Sequence, residues 1–139
     1  MLKSAKIPLM DTATDNTKTV RKVLCVEDEF FISELYSRAL TRGGYQVEVV
    51  TDGLKGLAMA MTNDYDIILL DIMVPNMTGI DILRHLREEK ADLRAKIIIT
   101  TNLDQGKENR TDIEKHADGY IIKAEITPRQ LVEFLDNIK

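Results

Sequence analysis

The chain has 139 residues, 44% of them hydrophobic and 30% charged, which suits one globular domain with a complete core and leaves little room for a second. A net charge of -4 argues against a broad electrostatic grip on nucleic acid, and the single cysteine, Cys25, excludes a disulfide scaffold. No apolar run approaches the roughly 18 residues a membrane span needs, and the N-terminus lacks a signal peptide's apolar core and cleavage site, so a cytoplasmic protein is expected.

In chain order, residues 1–20 read as a loose tail, because DTATDNTKT is polar, small and without period, and the domain is expected over 21–139. The first strand is predicted at Lys22–Val26, with Cys25 as a small core hydrophobe. Phe31, Leu35, Ala39 and Leu40 then recur at helical spacing, and Gly43-Gly44 signals the end of that helix. A second strand, Gln46–Val50, leads to Asp52-Gly53 and a short helix carrying Leu54, Leu57, Ala58 and Met61. The third strand is predicted at Asp66–Leu70. Thr78 with Asp81 resembles a capping box before Ile82, Leu83 and Leu86. The fourth strand is Lys96–Thr100, followed by the weakest helix, Gln105–His116, whose one large apolar residue is Ile113. The fifth strand is Gly119–Ile122, and Thr127-Pro128 with Gln130 opens a last helix bearing Leu131, Leu135 and Ile138. Strand and helix alternating five times imply an α/β domain with a parallel sheet covered by helices on both faces. The first, third and fourth strands are continuously apolar, as strands buried on both faces should be.

In such a sheet, ligands bind outside the carboxyl ends of the strands. Glu27 and Asp28 follow the first strand, Asp71 the third, Thr100 ends the fourth and Lys123 follows the fifth, so all belong to one edge. Singly, each has a plain structural role: Asp28 as a helix cap, Glu27 or Glu29 as complements to the helix dipole, Asp71 as a turn starter, Thr100 as a strand residue and Lys123 as a surface charge. Together, three carboxylates repel one another unless a cation is present, and Mg²⁺ is the hard, oxygen-preferring ion that suits them.

These residues carry a resemblance. From about Val20 onward the chain is similar to the receiver domains of two-component response regulators, the CheY-like fold. VLCVEDEF matches the acidic pair after the first strand, and IILLDIMVPNMTGIDIL the phosphoacceptor strand, its turn and the next helix. IIITT matches the switch hydroxyl position, and GYIIK the aromatic-then-lysine signature. The resemblance implies a doubly wound, flavodoxin-like sheet of five parallel strands in the order 2-1-3-4-5. It implies that Asp71 accepts a phosphoryl group from a sensor histidine kinase or phosphotransfer protein in a phosphorelay. Glu27, Asp28, Asp71 and the Met73 backbone carbonyl would then hold Mg²⁺, since a thioether is a poor ligand for a hard cation. Lys123 and Thr100 would contact the phosphoryl oxygens, and Tyr120 would change rotamer with Thr100. Moving such an equilibrium from 1:99 to 99:1 takes about 5.5 kcal/mol. One charge-assisted hydrogen bond supplies roughly 1.5–3 kcal/mol, so Thr100 and Lys123 are both needed.

Two positions depart from the family pattern. Ala124 replaces the proline that usually follows the lysine, which leaves the path of AEIT open, and Thr101 replaces a small residue after the switch hydroxyl and is expected to narrow the approach to the acceptor. The expected activity is that of a signalling switch rather than an enzyme acting on other molecules. Two other functions compete. A phosphatase of the haloacid dehalogenase type needs a second aspartate two residues after the first, where this chain has Met73. A receiver-like interaction module working without phosphorylation is separated only by a labelling assay. His85 and His116 are read as surface histidines. Because the 139 residues end at the last helix, output is expected through a protein partner unless the domain is excised from a longer protein. That partner, or a second copy in a homodimer, is expected to bind the surface of the fourth helix, fifth strand and fifth helix, with no direct contact to DNA and no membrane.

Overall fold

The computed structural model describes residues 20–138, so the predicted tail lies, but for Val20, outside the described residues. Five strands form one parallel sheet: β1 (Lys22–Val26), β2 (Gln46–Val50), β3 (Ile67–Asp71), β4 (Lys96–Thr101) and β5 (Gly119–Ile122). They stand side by side as β2-β1-β3-β4-β5, the order expected. The central strand β3, IILLD, is buried along its whole length, and β1 and β4 are nearly so. The edge strands β2 and β5 are mostly exposed or half-buried, because each has a neighbour on one side only. The third and fourth strands each run one residue further than predicted, which makes Asp71 and Thr101 strand residues.

Helices cover both faces. On one face Tyr36 and Leu40 of α1 (Phe30–Arg42) and Leu131 and Leu135 of α6 (Pro128–Asp136) pack on Val23, Cys25, Ile67, Leu69 and Ile98. On the other, α2 (Gly53–Met61), α3 (Gly79–Glu89) and two short helices, α4 (Leu103–Glu108) and α5 (Arg110–His116), lie over Leu24, Val26, Ile68, Leu70, Ile97 and Ile99. None of the helices among the described residues is long and apolar enough to cross a membrane.

The two predicted caps hold: Thr78 and Thr127 each accept a hydrogen bond from the backbone N–H three residues on, Thr127 with Gln130 making the full reciprocal box and Thr78 the forward bond, and Asp52 caps α2 in the same way. Past α1, Gly44 takes φ +97, the left-handed conformation that a glycine adopts without strain. The predicted α1 stripe is out of phase. Ser33, Tyr36 and Leu40 face the sheet, whereas Phe31 is 71% and Leu35 37% exposed, since a tyrosine and a serine hold the inward positions. In α2 the inward positions are Gly53, Gly56 and Ala60, while Leu54 is exposed; small residues let this helix lie close against Val26. The segment predicted as one weak helix is two. Asn109 separates them, its backbone N–H and its side chain both donating to the Gln105 carbonyl, at 3.1 and 2.9 Å, and Ile113 is the one buried residue of the pair. Ion pairs hold this polar segment to α3: Arg84 grips Asp112 with two bonds of 3.1 and 2.8 Å, and Arg87 donates to the His116 carbonyl at 2.7 Å and to Asp118 at 3.0 Å.

Ahead of β1, Arg21 donates to the carbonyls of Leu135 and Ile138, fastening the start of the domain to the end of α6. At the opposite edge, Gly79 opens α3 directly over Asp71. A Cβ there would lie 2.3 Å from the Asp71 carbonyl oxygen, a backbone atom that cannot swing aside. Gly79→Ala is therefore expected to lower the unfolding free energy by about 1–3 kcal/mol, the usual cost of overpacking, in urea denaturation followed by far-UV circular dichroism.

Candidate functional site

Asp71 ends β3 between two other strands, so the backbone on both sides fixes where its carboxylate stands. Its residue is 4% exposed. Register places Thr100 of β4 directly beside it, and Thr100 is 2% exposed. Glu27 follows β1 on the other flank, is 1% exposed, and donates its N–H to the Val50 carbonyl at 3.0 Å. Lys123 opens a 3-10 turn, Lys123–Glu125, after β5. The chain passes the Ala124 position through that turn, and no cis peptide bond occurs among the described residues.

The lysine draws these strand ends together. Its Nζ donates to Asp71 Oδ2 at 3.0 Å and to Glu29 Oε1 at 3.3 Å. It also lies 2.9 Å from Glu27 Oε1, but out of line for a hydrogen bond, so that buried oxygen has a counter-charge and no donor. The other oxygen, Oε2, accepts the Glu29 backbone N–H at 3.0 Å, and Asp71 Oδ1 accepts the Met73 N–H at 3.3 Å.

Burial dominates the titration of Glu27 and raises its carboxyl to about 7, the bond from Glu29 and the lysine only partly offsetting it. Burial also acts against the Lys123 ammonium, yet its contacts with Glu27 and Asp71 prevail and push its pKa up, so it stays charged. Beneath the site, burial, reinforced by Glu27, raises the Cys25 thiol to about 12, which keeps it protonated and unreactive.

The turn after Asp71 is fastened to the start of α2. Asn76 adopts φ +71, a conformation that asparagine tolerates, and its side chain donates to Asp52, the cap of α2. Gly53 donates its N–H to the Pro75 carbonyl at 2.9 Å, and a Cβ on Gly53 would meet the Met77 carbonyl oxygen at 2.0 Å. Pro75 and Gly79 thus bound a loop clamped to α2 and kept off the Asp71 carboxylate.

Of the residues singled out in the sequence, Glu27, Asp71, Thr100 and Lys123 meet at one edge. Asp28 is exposed at the rim, and Met73 is 58% exposed with its N–H turned to Asp71. Among the described residues no three His, Cys, Asp or Glu side chains stand in an arrangement that would hold a metal ion. The donors are nevertheless all oxygen, and Glu27 Oε1 is a buried anionic atom without a hydrogen bond, which fits a hard cation. Thr101 is buried against Gly106 of α4 and donates to the Asn102 carbonyl at 2.9 Å. Tyr120 is 56% exposed and lines a cavity of about 360 Å³ with Leu103, Lys107, Arg110 and Ile113. His85 pairs with Glu89 on the outside of α3, and both histidines stand apart from the acidic edge. The ion pair from Glu29 and the clamp from Asp52 to Asn76 were not foreseen; the only sequence signal for the first was its place beside Glu27-Asp28.

Comparison with known proteins agrees with this geometry. The family model "Response regulator receiver domain" matches residues 23–136. The transcriptional regulatory protein CusR of Escherichia coli (strain K12) is 40% identical over 102 residues, 73% of this chain and 44% of that protein. The response regulator ArlR of Staphylococcus saprophyticus is 35% identical over 118 residues, 85% of this chain and 50% of that protein. The chain thus spans about half the length of these curated relatives. Among solved structures, the chemotaxis response regulator CheY4 of Vibrio cholerae superposes with a TM-score of 0.75 at 29% identity, covering 85% of this chain and 98% of that one. With the strand order, the acidic edge and the family model in agreement, the chain belongs to the CheY-like receiver domains of two-component response regulators.

Proposed function

We propose that Asp71 is the phosphoacceptor. Receiver domains partner with histidine kinases, and the observation that carries the proposal is the buried Asp71 carboxylate held 3.0 Å from Lys123 at the end of the central strand. An Asp71 oxygen attacks the phosphorus, the new O–P bond forms as the donor histidine's N–P bond breaks, and the electron pair leaves on the imidazole, which is then protonated by solvent. Lys123, already charged, would follow the transferred oxygens, and the Thr100 hydroxyl on the neighbouring strand would donate to one of them. Glu27, Asp28, Asp71 and the Met73 carbonyl would hold Mg²⁺. That ion supplies neutralisation of the phosphoryl oxygens when bound.

The switch would run from Thr100 to Tyr120, which has the cavity under α4 and α5 beside it to move into. The output surface would then be α4, α5, β5 and α6, presented to a protein partner or to a second copy in an activated homodimer. The names of the relatives, transcriptional regulators among them, weigh against extending the expected absence of DNA contact beyond these 139 residues.

With acetyl phosphate and Mg²⁺ the protein should gain one alkali-labile phosphoryl group by mass spectrometry, and Asp71→Asn should gain none. Labelling of that variant would overturn the assignment, and failure of the wild type to label would favour an interaction module that works without phosphorylation. Asp28→Asn should weaken Mg²⁺ binding in a fluorescence titration and slow phosphorylation, since it removes an anionic ligand; asparagine caps a helix about as well as aspartate, so unchanged affinity would make Asp28 a structural residue.

Glu27 gives a pH signature. Its carboxyl titrates near 7 in the fold against 4.5 for the ordinary value, so between those limits the folded state keeps a proton that the unfolded chain has lost. The stability this contributes is complete below the lower value and is lost as pH rises through the upper one. In EDTA, Glu27→Gln should therefore gain stability over the wild type steadily from about pH 5 to about pH 8, measured by urea unfolding. A difference constant with pH would mean that the buried carboxyl does not titrate in this range.

A further inference from the structure

Lys123 has three partners, and one of them is out of place for a purely structural pair. Asp71 and Glu27 are buried, whereas the Glu29 side chain is 65% exposed and reaches the ammonium from the solvent side at 3.3 Å. An ammonium has three N–H donors and no acceptor. Here one points to Asp71 and one to Glu29, while the buried Glu27 Oε1, 0.4 Å nearer to Nζ than Glu29 Oε1 is, receives none. The exposed outer carboxylate thus holds an aligned share of the ammonium, although the buried inner oxygen is nearer to it and charge-paired with it. Capping does not explain this, because Glu29 precedes α1 and its side chain makes no cap bond there. Its own backbone N–H is pinned to Glu27 Oε2 at 3.0 Å, which sets the side chain over the mouth of the site.

From this arrangement we infer that Glu29 is a positioning residue that draws the Lys123 ammonium toward the rim and competes for it with any phosphoryl group on Asp71. The inference rests on the phosphoacceptor role of Asp71. A dianionic donor entering the site must take Lys123 from Glu29 and pass a fixed negative charge. The carboxylate therefore restrains loading by small anionic donors, and a donor able to displace it is favoured. Because Glu29 is mostly exposed, its influence is screened by salt, unlike that of the buried Asp71.

The test uses the whole chain, acetyl phosphate and Mg²⁺, with phosphorylation followed over a range of donor concentrations. Glu29→Gln, which keeps size and the backbone bond to Glu27, should raise kcat/KM about two- to fivefold at low ionic strength, the range of one exposed ion pair. The gain should reside in KM and fade as salt approaches about 1 M, where the screening length falls to about 3 Å. Glu29→Asp retains the charge and should stay at the wild-type value. Equal rates for wild type and Glu29→Gln at low salt would overturn the inference, as would a gain in Glu29→Asp matching that of Glu29→Gln. Thermal unfolding of both variants, expected to match the wild type, excludes a rate change caused by a loosened fold. If the wild type itself fails to label, the phosphoacceptor role falls and this inference with it. If the wild type labels and the Gln variant shows no gain, only the role of Glu29 falls.

Discussion

Like charges gathered at the end of a buried sheet repel, and the receiver edge depends on one cation to hold them. The Lys123 ammonium touches carboxylates from two strand ends and from the entry to α1, so it ties together β3, β5 and the segment after β1. Such a bridge in a dry setting costs desolvation of every partner, which shows here as the raised carboxyl of Glu27. The sheet bears that cost because β3 is clamped between two strands and cannot retreat.

The helices of the domain are held by different forces. Around α1, α3 and α6, fully buried leucines and isoleucines supply the contacts, and such packing is indifferent to salt. The α4–α5 segment has Ile113 alone in the core and is tied instead by Arg84 and Arg87 of α3 to Asp112, His116 and Asp118. Directional bonds of this kind break and reform as units. The segment lies between Thr100 and Tyr120 in sequence and carries little of the apolar packing that holds its neighbours.

Much of this was legible in the residues. Continuous apolar runs marked β1, β3 and β4, because strands buried on both faces carry no polar period, and the acidic and basic residues at their ends fell on one edge once the strands were parallel. Thr78, Thr127 and Asp52 announced their helices through cap chemistry that is local in sequence. What stayed hidden depended on partners distant in sequence. The inward stripe of α1 runs through Ser33 and Tyr36, and hydrophobicity alone selects Phe31 and Leu35 instead. The break at Asn109 falls at a single residue, which leaves no period to detect. The grip of Glu29 on Lys123 joins residues 94 positions apart and has no pattern of its own.

The bonds from Arg21 to the last turn of α6 have a consequence for architecture. They bring the point where the chain enters the domain beside the point where it leaves, at the amino edge of the sheet. Asp71 sits at the carboxyl edge, a strand's length away, or roughly 20 Å at the usual rise. Arg21 and the residues that follow α6 thus lie together on the side remote from Asp71, which leaves that edge clear of both.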